Sequence, residues 1–306
     1  MQQPSARSLE EGTVNHNLTS RSSRLASPWP FFVVAFGWSW LCWIWVARSG
    51  LGLSSATGGG LLVLGVLGPM LAGIGFTYIT RDREGRRDYW RRVVDFSRIP
   101  SRWRLAIFLF VPILIAVAVL LDVLLGGSGG TWGTVIVGFL SAPWAIIPSA
   151  LFASIIPFVE ELGWRGYVLD RLQERWTALA SGLILGVLWS LWHLPLFVIP
   201  DTYQYGLGVG TPAFWLFLVG VVPLTVVFSW IFNNTGRSTL AVILFHAMVN
   251  FTGELFAVTE RADALSILLW VLAAIGVVAL WGARTLSGRP SPDQGAWGAR
   301  DSQKLA

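Results

Sequence analysis

Charge is scarce in this chain. Only 13% of its 306 residues are charged, against roughly 25% in a soluble domain. An ordinary water-facing surface is thereby excluded for most of the molecule. Cysteine is scarcer still. Cys42 is alone, so no intrachain disulfide forms and the redox compartment is not legible from it. The H-E-x-x-H helix of zinc peptidases is missing. No small-residue cleavage site follows the first apolar run, and the polar residues before it are too long and too weakly patterned for a signal-peptide n-region. No internal repeat and no second folded domain are visible.

What is present is apolar and bunched. Hydrophobic residues make up 54% of the chain and fall in runs near 20 long, the length that crosses about 30 Å of hydrocarbon as helix. The 18 tryptophans suit the membrane–water interface. The chain therefore reads as all-α, a polytopic membrane protein with about eight transmembrane helices. The runs are about 29–47, 61–80, 105–125, 135–158, 178–199, 213–232, 239–257 and 264–283. Together they make a membrane domain over 29–284. Residues 1–28 and 285–306 are polar and are expected to be disordered cytosolic tails. The fourth run holds Pro143, Pro148 and Pro157, which predicts a kinked lead-in and then one helix over about 148–174. Thr177 is expected to cap the next helix.

The stretch Arg81–Arg104 holds nine arginines against four acidic residues. Basic loops face the cytoplasm. With this loop inside, alternation places the segment around Arg165–Arg175, the NNTGRS turn and both termini inside as well. The net charge of +5 reads as this topology signal, with attraction to anionic lipid added. Nothing points to nucleic acid.

Ionisable groups inside a membrane helix are costly and mark function. Three groups fall in the apolar runs: Glu160, Glu161 and Arg165; His193; and His246 with Asn250. Glu160 lies about 16 residues before the turn at Trp176–Thr177, and His193 about 16 after it. In an antiparallel hairpin the two sit at equal depth, roughly 25 Å from the turn at 1.5 Å per residue. His246 and Asn250 are i and i+4 and share one helix face. Glu161 and Arg165 have the same spacing and are expected to pair. Glu160, about 100° round the helix, is then free to face the histidines. Asp170–Trp176 reads as the charged hem of the helix. Asp122, Asp201 and Glu260 read as loop-edge charges, Glu254 as solvated, and Trp189 and Trp192 as packing or cavity wall.

A glutamate beside imidazoles can act as general base on water. A histidine and an asparagine on one face can donate to a developing oxyanion. That combination describes hydrolysis of an amide or ester without a nucleophilic serine or cysteine. Two histidines and a glutamate (His193, His246 and Glu160) could instead ligate zinc. No cofactor is the first expectation and zinc the alternative.

These segments resemble a known family. EELGWR (Glu160–Arg165) resembles the EExxxR motif of the CAAX-protease and bacteriocin-processing (CPBP, or ABI) intramembrane proteases, which include the type II CAAX prenyl endopeptidases. WSLWH (Trp189–His193) resembles their FxxxH, with Trp189 in the phenylalanine position, and HAMVN (His246–Asn250) their HxxxN. The resemblance covers about 135–255. It implies an intramembrane, glutamate-dependent endopeptidase often labelled a metalloprotease. In that scheme Glu160 activates water, His193 helps to position it, His246 and Asn250 form the oxyanion side, and Glu161 and Arg165 support the site. It also implies membrane lipid and a peptide or lipidated protein as partners, and a bacterial plasma-membrane location with both termini cytoplasmic. Substrate and oligomeric state do not follow from it. The competing reading is a non-catalytic immunity or scaffold protein on the same fold.

Overall fold

In hydrocarbon a segment must pair its own backbone N–H and C=O groups, so the apolar runs are helices. The computed structural model describes residues 27–132, 139 and 141–288. The expectations for 1–26, 133–138 and 289–306 lie outside them.

The helices are α1 (Pro28–Ser49), α2 (Ala56–Val66), α3 (Gly68–Thr80), α4 (Arg83–Val94), α5 (Ser101–Leu124), α6 (Ile146–Ala153) and α7 (Ile155–Gly163). A π-helical turn, Trp164–Val168, joins α7 to α8 (Leu169–Gln173). There follow α9 (Ala178–Trp192), α10 (Tyr203–Leu207), α11 (Pro212–Asn234), α12 (Thr239–Leu255) and α13 (Glu260–Trp281). Several N-termini carry side-chain acceptors. Thr177 accepts from Ala180 N, as predicted, and Ser238 from Ala241 N.

Among the described residues seven segments are long and apolar enough to cross a membrane. Two of them are composite: Ala56–Thr80 joins α2 to α3, and Pro143–Gln173 runs through α6, α7 and α8. The eighth expected span, α12, is shorter at 17 residues. It stops because the chain turns into an extended segment, β2 (Phe256–Val258), which pairs antiparallel with β1 (Gly130–Trp132). This small ladder was not foreseen. The glycine loop before β1 supplies it with Gly130 at φ 120, so no Cβ obstructs the Ala257 carbonyl.

Packing runs round a ring. Contacts pass from α1 to α3, α7, α12, α5, α13, α11 and α9. The ring closes where the Trp40 indole donates to the Trp192 carbonyl at 3.1 Å and Trp43 packs on Trp192. At the α3–α7 crossing the backbones touch. A Cβ on Gly163 would lie 2.2 Å from the Pro69 oxygen, and one on Gly73 2.6 Å from the Leu162 oxygen.

Two charge expectations and one boundary are corrected. Asp170 is not a hem residue. It is 1% exposed and takes Arg81 at 3.2 Å, Arg92 at 2.7 Å and Arg237. Three guanidiniums around one carboxylate draw it inward, which a helix-end count cannot see. Asp122 is also buried. It accepts from Arg261, Thr259 and Gly129 N, tying the end of α5 to the start of α13. The C-terminal tail begins later than 285. Leu286 is fully buried, and its carbonyl and that of Thr285 accept from the amides of Asn234 and Asn233 at 2.8 Å. Asp201 accepts from Ser54 Oγ at 2.6 Å, and these hydrogen bonds hold its carboxyl below the usual aspartate range.

Candidate active site

Glu160 and Glu161 close the last turn of α7, where it is wedged against α3 on one side and α12 on another. The π turn begins three residues later. Such bulges recur at functional sites because one extra residue re-aims the side chains around it. His193 caps the end of α9, just before a 3₁₀ turn starting at Leu194. His246 and Asn250 lie one turn apart on α12.

All the ionisable groups are inside the protein. Glu160, Glu161, Arg165, His193 and His246 are each at most 8% exposed, whereas Asn250 is half-buried. Their partners are specific. Arg165 Nη1 donates to Glu161 Oε1 at 2.7 Å, the i,i+4 pair expected from spacing. The same oxygen lies 2.9 Å from His246 Nδ1. The expected division of labour is therefore modified. Glu161 is not reserved for the arginine but faces a histidine as well. A carboxylate oxygen has more than one lone-pair direction, so one atom serves both.

Glu160 points elsewhere, as the 100° offset requires. Its Oε2 accepts from the Trp189 indole Nε1 at 2.8 Å. It also lies within electrostatic reach of His246. The Trp164 indole is nearby, but its Nε1 has no partner in hydrogen-bonding geometry. His193 Nδ1 lies 2.7 Å from the Trp189 carbonyl oxygen. A carbonyl only accepts, so Nδ1 carries the proton and Nε2 faces away with its lone pair. The same reasoning applies to His246, whose Nδ1 proton goes to the Glu161 carboxylate.

Glu160, His193 and His246 thus gather on Trp189. The Trp189 ring lies 5.8 Å from His193 and meets His246 edge-on at 5.2 Å. The Arg165 guanidinium is sandwiched between Trp189 at 4.8 Å and Phe228 at 4.5 Å. The sequence reading treated Trp189 as wall. Its place four residues before His193 was the available signal, but its hydrogen-bond partner lies on another helix. Asn250 makes no hydrogen bond to the other site residues.

The zinc alternative was tested on the donor set. Among the described residues no three His, Cys, Asp or Glu side chains converge as a metal-holding group. As arranged, Glu160, His193 and His246 do not form such a group.

A family model described as type II CAAX prenyl endopeptidase, Rce1-like, matches residues 142–252. That window contains Glu160, Glu161, Arg165, Trp189, His193, His246 and Asn250. The chain is also similar to the CAAX prenyl protease 2 of Methanococcus maripaludis, with 27% identity over 262 residues, 83% of this chain and 94% of that protein. The chain is thus an integral membrane protein in which residues 142–252 are similar to the domain of the Rce1-like type II CAAX prenyl endopeptidases.

Proposed function

We propose that this protein is an intramembrane endopeptidase in which Glu160 is the base that activates water. The observation that carries the reading is a shared anchor. Trp189 holds Glu160 through its indole N–H and His193 through its carbonyl, so a carboxylate and an imidazole lone pair are held at one place. Water lying between Glu160 Oε1 and His193 Nε2 would donate one proton to each. As its oxygen attacks the scissile carbonyl, Glu160 takes a proton and the carbonyl oxygen becomes an oxyanion. His246, charged and backed by Glu161, donates from Nε2 to that oxyanion. Asn250, one turn on, supplies an amide N–H as the second donor. Collapse of the tetrahedral intermediate breaks the C–N bond, and Glu160 returns its proton to the leaving amine.

The relative's name supplies the substrate class for this chain: a peptide ending in a prenylated cysteine and three further residues, presented from the cytosolic face. That face is assigned by the arginine-rich segment Arg81–Arg104. No step passes through a metal. The test is cleavage of a quenched fluorescent peptide with such an end by purified protein in lipid nanodiscs. Glu160→Gln keeps the shape and removes the base, and turnover is expected to fall at least about a thousandfold. Wild-type activity should survive exhaustive chelation. Full turnover by Glu160→Gln would remove the glutamate mechanism and favour the binding-only reading.

A further inference from the structure

We infer that Trp189 is a positioning residue for the base: its indole N–H fixes which Glu160 oxygen faces water. The inference rests on Glu160 being the base. Indole nitrogen can only donate, so the 2.8 Å contact commits Glu160 Oε2 as acceptor and leaves Oε1 for the proton. A carboxylate on a glutamate side chain otherwise rotates about its terminal torsion, which is broad. The anchor itself is rigid. Trp189 is buried, and its ring is held by Phe228 at 5.8 Å, His246, His193 and the Arg165 guanidinium.

Comparison with the other buried indoles separates this from ordinary packing. Among the described residues the Nε1 atoms of Trp103, Trp192 and Trp230 have no hydrogen-bond partner, and that of buried Trp43 donates to the Leu62 carbonyl at 3.1 Å. Their N–H groups are unmatched or meet a neutral backbone oxygen. At Trp189 the N–H meets a carboxylate, a charge-assisted bond of the stronger kind. The backbone of the same residue aims His193. One residue therefore sets the spacing between base and water-orienting imidazole.

Trp189→Phe keeps the ring stack and deletes only the N–H. With the prenylated peptide in nanodiscs, kcat is expected to fall about tenfold while KM stays within about twofold, because the loss concerns orientation of the base and not substrate binding. The second readout needs no turnover. With 15N-labelled indoles, the cross-peak that disappears in Trp189→Phe is expected to shift markedly in Glu160→Gln, where an amide replaces the carboxylate acceptor. Trp189→Tyr identifies the peak if the phenylalanine variant does not fold. Unchanged kcat in Trp189→Phe alongside inactive Glu160→Gln would overturn the inference and leave the base intact. An indole peak indifferent to Glu160→Gln would overturn it too. Active Glu160→Gln would instead overturn the mechanism on which it rests.

Discussion

At the scale of residues, adjacent glutamates with identical side chains have different neighbours because they differ by 100° of helix. Glu160 looks at α9 and meets an indole. Glu161 looks at α12 and meets His246 while keeping Arg165. Removing the Glu161 charge would leave the Arg165 guanidinium, fully buried between two aromatic rings, without its counter-ion. Breaking such a pair from one side costs about 3–5 kcal/mol. Glu161→Gln is therefore expected to melt well below wild type in detergent. It should also lose turnover, because the charged form of His246 loses its support. A variant with unchanged melting and turnover would show that Glu161 braces nothing. These roles were half legible beforehand. Spacing along one helix announced the Glu161–Arg165 pair, but the His246 contact joins residues 85 apart in sequence, beyond the reach of any local pattern.

At the scale of elements, α7 is held by close approach and not by side-chain interdigitation. Gly163 and Gly73 let two helix backbones touch at the height of the glutamates. A methyl group on Gly163 has nowhere to go but into the Pro69 carbonyl, and overpacking of this kind costs about 1–3 kcal/mol. Gly163→Ala is expected to lower the melting temperature and to displace Glu160 from Trp189, so kcat falls as well. An alanine variant that melts and turns over like wild type would mean that α3 and α7 are not in contact there. The helical character of the fourth run through Gln173 was readable from its pattern. The π turn was not, because it arises where Arg165 and Tyr167 are both drawn inward by aromatic partners on other helices.

At the scale of the whole molecule, the basic segment is more than a topology signal. Arg92 reaches from α4 to both Asp88 at 2.6 Å and Asp170 at 2.7 Å, and Arg98 joins Asp88 to the Gly236 carbonyl. Arg237, with φ 59, stands in the turn just before α12 and also meets Asp170. The two site-bearing elements, α7–α8 and α12, are thus clamped together at the arginine-rich end. Burial pushes the Asp88 carboxyl up, but the charges and hydrogen bonds of Arg92 and Arg98 outweigh it and hold it below the usual aspartate range. A depressed folded value stabilises the protein above the unfolded value of about 3.9, and that contribution is lost as pH falls from there through the lower folded value. Stability is therefore expected to drop as pH falls below about 3.9, and Asp88→Asn should flatten that part of the melting-temperature profile. An identical acid slope in the variant would assign the loss to other carboxylates.

The sequence by itself determined the solvent and the architecture, because a chain so poor in charge and so rich in 20-residue apolar runs can only satisfy its backbone as membrane helices. It also determined which ionisable residues would stand inside them, and by depth counting which would be level. The tertiary structure alone decided how those residues pair. Whether Asp170 ends in water or among three arginines, whether Glu161 serves one cation or two, and whether Trp189 is wall or anchor all depend on side chains that meet across helices far apart in sequence. Within one helix the 100° turn between neighbours dictates direction; between helices, only packing chooses the partner.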